Sequence, residues 1–274
     1  KTVLKHPHVN SVVSFASHRS AYTSSLDILE IEVITSLTII AEGIPERYAR
    51  LLQLKAQEKN KTIIGPATVG GIKPGSYRIG NTCGTIENIS NLKLHRPGCV
   101  GFVSRSGGML NEMCNIINGC TNGVYQAISI GGDRYPSSSF MHHILNYQND
   151  NNVEVIVMLG EIGGHQEILV ANAVKAGAIT KPIIAWCMGT SNEFFGGNVQ
   201  FGHAGASANS EFESAIFKNM YMKESGILVP DTFEGLETIL KTTYYSIIEG
   251  VKTVDYPQPR QLNENSRSEE HTSE

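Results

Sequence analysis

The 274-residue chain is 41% hydrophobic and 18% charged, with a formal net charge of −4. It is long enough to bury a substantial core, and two moderate α/β units are expected rather than one. The mild acidity, a pI near 6.2 and the lack of any lysine or arginine block exclude the electrostatic footprint of a nucleic-acid or anionic-membrane binder.

Apolar runs of about six to eight residues are too short to span a bilayer. The five cysteines, Cys83, Cys99, Cys114, Cys120 and Cys187, are scattered without a C-x-x-C pair and read as reduced core thiols. A reducing, cytoplasmic setting follows, with a small molecule or another protein as partner.

Val- and Ile-rich runs alternate with amphipathic stretches, the pattern of βα units around a parallel sheet, so the class is α/β. The chain opens at Lys1-Thr2-Val3 without methionine, as though the start of a domain were missing. Residues 11–16 and 37–41 read as strands, a helix starts after Pro45 and runs to about residue 59, and 62–65 is a third strand. The glycine-rich run 69–75 reads as a loop.

The pattern breaks around residues 94–98, which places a boundary between a first domain at 1–95 and a second at 96–250. In the second, strands are expected at 99–103, 127–130, 153–159, 182–186 and 227–229, with helices from about 107, 138, 165, 207 and 233. Five βα units make a flavodoxin-like count. Residues 251–266 read as a polar tail. Residues 267–274 look like a translated adapter oligonucleotide and are set aside from fold reasoning.

Two glycine-punctuated loops, Ser104-Arg105-Ser106-Gly107-Gly108 and Gly160-Glu161-Ile162-Gly163-Gly164, directly follow strand-like runs, and a third, Gly202-His203-Ala204-Gly205, stands just before a helical stretch. In an open parallel sheet such loops gather at the carboxyl edge, where ligands bind. His203, among small residues and ahead of a helical stretch, can act as a nucleophile whose anionic adduct a helix N-terminus receives; equally, it can be a turn residue. Ser104 to Gly108 suits a phosphate at a helix start or serves as an ordinary N-cap.

Glu161 can hold the Nδ1–H of an imidazole, help bind Mg²⁺, or cap the next helix. The loop from Gly131 to Pro136 adds an arginine and a carboxylate. His142 and His143 point about 100° apart on a helix and read as surface residues. No zinc-type spacing, Walker A sequence or G-x-G-x-x-G fingerprint is present.

Six motifs occur in the order and rough spacing of one family: Glu42-Gly43-Ile44-Pro45, Ile64-Gly65-Pro66-Ala67, Ser104-Arg105-Ser106-Gly107, Ile130-Gly131-Gly132-Asp133, Gly160-Glu161-Ile162-Gly163-Gly164 and Gly202-His203-Ala204-Gly205-Ala206. Over about residues 1–250 the chain resembles the succinyl-CoA synthetase alpha subunit and its relatives. Residues 67–75, 131–136 and 199–201 look more like the ATP-citrate lyases than the succinyl-CoA synthetases of that superfamily.

The resemblance implies a partial Rossmann-like CoA-binding domain followed by a flavodoxin-like, doubly wound CoA-ligase domain. It implies that His203 is phosphorylated from ATP and that Glu161 is its partner or a Mg²⁺ contact. Ser104, Arg105, Ser106, Gly107, Gly108, Gly202, Ala204 and Gly205 are the expected phosphate-binding set, and Ile40, Ala41 and Glu42 the expected coenzyme A contacts.

The implied reaction makes citryl-CoA from citrate, coenzyme A and ATP through citryl phosphate, on the way to acetyl-CoA, oxaloacetate and lipid synthesis. A glycine-rich CoA loop, an ATP-grasp part and a citrate-synthase-like part are not found in the sequence, so the chain alone is expected to be inactive and the enzyme oligomeric. A succinyl-CoA synthetase alpha subunit and a non-catalytic CoA-binding module are the alternative readings.

Overall fold

The computed structural model describes residues 5–6, 8–191, 202–208 and 210–248. The motif at 199–201, the polar tail and residues 267–274 lie outside the described residues.

A small parallel sheet comes first, built from β1 (Ser11–Ser14), β2 (Ser36–Ile39) and β3 (Thr62–Ile64) in that order. Helices α1 (His18–Leu29) and α2 (Glu46–Glu58) connect the strands. In α2, Pro45 ends the preceding loop, Glu46 complements the positive helix start, and Ala49, Leu52 and Ala56 form the stripe that packs inward with Leu37, Ile39 and Ile63. The sequence reading has no counterpart to α1. Its buried positions are Ala21, Ser25 and Leu29, and a serine at the middle one hides the helical period.

The larger sheet runs β5-β4-β7-β6-β8-β9, with β4 (Gly70–Lys73), β5 (Tyr77–Gly80), β6 (Val100–Ser104), β7 (Val124–Ser129), β8 (Val155–Glu161) and β9 (Ile183–Met188). Strands β6 to β9 are parallel, and a bridge from Ile184 to Leu228 adds one more residue beyond β9. From β6 onward the spatial order is therefore 2-1-3-4-5, the flavodoxin-like winding.

Helices α4 (Gly107–Cys120), α5 (Phe140–Asn149), α6 (Gln166–Lys175), α7 (Ala215–Glu224) and α8 (Gly235–Ile248) cover this sheet, and the short α3 (Ile86–Asn91) precedes β6. Every residue of β6 and β8 is buried, as expected for parallel strands covered on both faces.

Four expectations need correction. Residues 69–75 are not a loop: they hold β4, which pairs with β7 because a Cβ on Gly71 would lie 2.6 Å from the Ala127 carbonyl. The chain accordingly changes sheet between Ile64 and Gly70.

The helix expected from 207 starts at Ala215, after a 3₁₀ turn at Glu211–Glu213, where the Ser214 hydroxyl accepts from the Phe217 N–H at 3.1 Å. The strand at 227–229 is reduced to a bridge at Leu228. His143 is also misplaced by the sequence reading: it is buried against Ser138 Oγ at 3.0 Å, and burial pushes its pKa down to about 3. His142 is exposed, and all five cysteines are buried and unbridged.

Candidate active site

In this winding the direction of strand order reverses between β6 and β8, the switch point at which open α/β sheets place ligands. Ser104 closes β6 and Glu161 closes β8, so both loops open onto the same crevice. The Ser104 hydroxyl donates to the Ser106 carbonyl and accepts from the Ser106 N–H, both at 3.0 Å, which folds the chain into the start of α4. Ser106 is the N-cap of α4, its hydroxyl accepting from the Met109 N–H at 3.3 Å. Gly107 is required because a Cβ would come within 2.5 Å of a Val69 methyl.

His203 approaches from the 202–208 loop. Its Nδ1 lies 2.7 Å from Glu161 Oε2. An ionised carboxylate can only accept, so Nδ1 carries the proton and Nε2 is left with a lone pair. Among the described residues the ring makes no other hydrogen bond. Glu161's second oxygen lies 3.0 Å from Arg105 Nε as an ion pair without hydrogen-bond alignment, and Arg105 Nη2 donates to the Asp133 carbonyl at 2.6 Å.

The side chains of Arg105 and Glu161 are 5% and 8% exposed, that of His203 31%: an inner pair carries an outer, accessible ring. Glu161's hydrogen bond holds the His203 pKa above its ordinary value against the opposing effects of burial and of Arg105, with Glu42 adding to the rise.

The loop is seated by its backbone. Gly205 N–H donates to the Gly132 carbonyl at 3.1 Å, and Ala206 N–H to the His203 carbonyl at 3.0 Å. Gly132 leaves room for the imidazole, since a Cβ there would sit 2.8 Å from Nδ1. Beneath Glu161, the wholly buried Lys218 of α7 donates to the carbonyls of Glu161 and Gly163 and to Glu167 Oε2.

A cavity of about 220 Å³ is lined by Ser106, Met109, Glu161, Gly202 and His203. The first N–H groups of a helix have no partner within it, so the start of α4 supplies donors and positive dipole there. The structure thus joins Ser106, Glu161, Gly202 and His203.

It separates others of the expected phosphate set. Ser104 is buried and spent on Ser106, Arg105 is committed to Glu161 and Asp133, and Gly108 lines a different cavity beside Cys83. Ala204 and Gly205 face a second cavity of about 480 Å³, with Arg105, Arg134 and Gln53. The helix start beside the ring belongs to α4, not to the helix after His203.

Glu161 Oε2 lies against His203 and Oε1 against Arg105 without a hydrogen bond, and no cluster of three acidic, histidine or cysteine side chains suited to a metal occurs among the described residues. Ile40 and Ala41 are half-buried just past β2 and Glu42 is exposed. Sequence reasoning missed Lys218 and Glu167, and it named Gly132 in a motif without giving it a role. An isolated lysine or glutamate in a helix pattern carries no signal of its buried partner.

Residues 103–228 match the CoA-ligase family. The chain is 52% identical over 259 residues to a probable ATP-citrate synthase subunit 1 of Neurospora crassa, covering 94% of this chain and 39% of that protein. It is 52% identical over 244 residues to the ATP-citrate synthase of Homo sapiens, covering 89% of this chain and 22% of that protein. A solved structure of ATP citrate lyase from Methanothrix soehngenii in complex with citrate and coenzyme A matches with a TM-score of 0.93 at 45% identity, covering 97% of this chain and 44% of that one. The chain spans well under half the length of the curated relatives it matches.

Proposed function

We propose that this chain, whose residues 103–228 match the CoA-ligase family, is the synthetase-like part of an ATP-citrate lyase and carries a phosphoryl group on His203 during citryl-CoA formation. The observation that carries this reading is the 2.7 Å contact between His203 Nδ1 and Glu161, at a cavity that also receives the N-terminus of α4.

Nε2 attacks the γ-phosphorus of ATP; the P–N bond forms as the bond to ADP breaks. Glu161 holds the Nδ1 proton and offsets the positive charge the ring gains, while the N–H groups at the start of α4 face the phosphoryl oxygens. The phosphoryl group then moves from Nε2 to a citrate carboxylate oxygen, and the imidazole returns neutral. The thiolate of coenzyme A displaces inorganic phosphate from that acyl carbon, giving citryl-CoA. Ile40, Ala41 and Glu42, just past the end of β2, are proposed to line the approach of coenzyme A.

ATP binding is assigned to an ATP-grasp part, cleavage to acetyl-CoA and oxaloacetate to a citrate-synthase-like part, and the setting to the cytoplasm. The relatives' names and the bound citrate and coenzyme A of the Methanothrix soehngenii structure support this choice of substrates over succinate.

The test is labelling with γ-³²P-ATP and Mg²⁺ with the ATP-grasp part supplied. The expected result is acid-labile, base-stable label on His203, absent from His203→Asn and discharged by citrate with coenzyme A but not by succinate with coenzyme A. Undiminished label in His203→Asn contradicts the proposal.

A further inference from the structure

We infer that Lys218 and Glu167 form a buried clamp that sets the position of Glu161, and through it the state of His203, as positioning residues rather than catalytic ones. The inference rests on the reading of His203 as phosphoryl acceptor. The clamp grips the Glu161 peptide from both sides: Glu167 Oε1 accepts the Glu161 N–H at 3.2 Å, and Lys218 Nζ donates to the Glu161 carbonyl at 2.8 Å. Lys218 also donates to the Gly163 carbonyl at 2.6 Å and to Glu167 Oε2 at 2.7 Å, so all three ammonium hydrogens are spent on this one loop and its anchor.

Three observations separate this from general packing. First, both side chains are essentially unexposed, at 0% and 1%. A buried ion pair is weak support for stability, because well-packed apolar residues of similar volume often do as well or better. Second, α7 does not need Lys218 to dock. Its neighbour Asn219 already pins the helix to β9, accepting from the Cys187 N–H at 2.8 Å and donating to the Cys187 carbonyl at 3.1 Å.

Third, space is kept for the clamp: a Cβ on Gly160 would lie 2.7 Å from Glu167 Cγ. What the pair fixes is the last peptide of β8, from which the Glu161 carboxylate reaches His203. Without the pair the Glu161–Ile162 peptide keeps, among the described residues, only its Ile162 N–H bond to the Met188 carbonyl at 2.9 Å, on one side, and the 2.7 Å contact to Nδ1 would be one arrangement among several.

The test reads His203 without phosphoryl transfer, so it can fail or succeed independently of the proposed function. Histidine-labelled full chain is titrated by NMR, with the His203 signal assigned from His203→Asn. The charges acting on this ring are Glu161, Arg105 and Glu42. In the double variant Lys218→Met/Glu167→Gln, which buries no unpaired charge, the midpoint should fall toward the ordinary histidine value by half a pH unit or more, roughly a threefold change in protonation constant.

A folded double variant with an unmoved midpoint overturns the clamp and leaves a merely structural pair. Should the variants not fold, the wild-type chain decides. The Lys218 ammonium protons are expected in slow exchange, with nitrogen-detected couplings to the two loop carbonyls; a rapidly exchanging ammonium overturns the inference. Normal titration with no phosphate ever found on His203 would count against the proposed function alone.

Discussion

At the residue scale, the chemistry reduces to which nitrogen of one imidazole keeps its proton. Glu161 accepts from Nδ1, so Nε2 is the basic atom, and the same contact raises the His203 pKa above about 6.5. The sign follows directly. As pH falls through the raised pKa, Nε2 takes a proton and can no longer attack phosphorus, so the acid limb of phosphoryl transfer should lie above pH 6.5.

The stabilising contribution of the protonated ring runs the other way, being complete below the unfolded value and lost as pH rises through the folded one. In Glu161→Gln the acid limb should move to lower pH while the plateau rate falls by on the order of 10²-fold or more. Pre-steady-state labelling across pH checks both; a limb that stays in place would show that the carboxylate does not set the ring's proton affinity.

At the scale of elements, the ends of α4, β6 and β8 make the site, and most of this was legible. Apolar runs before residues 104 and 161 mark strands, and glycines after them mark loops that must gather at one sheet edge. The partners within those loops were not legible, because Arg105 reads as a free cation until the fold brings Glu161 against it.

Two elements misled for physical reasons. In β4 two adjacent glycines remove every strand signal, yet Gly71 is what lets it lie against β7 and Gly70 what lets it lie close to Ile79 of β5; and residues 206–208, helix-like in composition, are held irregular by backbone contacts, with a Cβ on Gly163 due 2.8 Å from the Ser207 carbonyl. The cap is the testable part. Ser106→Ala should cost about 1 kcal/mol of stability, read by thermal or denaturant unfolding, and should slow His203 labelling because it loosens the helix start facing the phosphoryl group. Loss of stability without loss of labelling would remove α4 from the chemistry.

At the scale of the whole molecule, the flavodoxin-like order 2-1-3-4-5 puts the switch point between β6 and β8, and the six-stranded sheet supplies the rigidity that an accessible histidine lacks. The small sheet is joined to it through the Ala67 N–H on the Ala41 carbonyl at 2.9 Å and an exposed pair, Arg134 to Glu46 at 3.4 Å. Exposed pairs contribute little, so Arg134→Ala should change stability by less than about 1 kcal/mol. Phe102, wholly buried at the centre of β6, should cost about 3–5 kcal/mol as Phe102→Ala. Denaturant melts of the two variants compare edge with core; similar losses would mean that the joint between the sheets, not the β6 core, governs stability.

The most direct check on the account is the position of phosphate on the ring. The full chain is phosphorylated with phosphoramidate, which needs no ATP-binding part, and mapped by ³¹P–¹H correlation NMR with His203→Asn as reference. The account expects a single adduct on Nε2 of His203, with Nδ1 still protonated against Glu161; phosphate on Nδ1, or on another histidine while His203 stays unmodified, would contradict it.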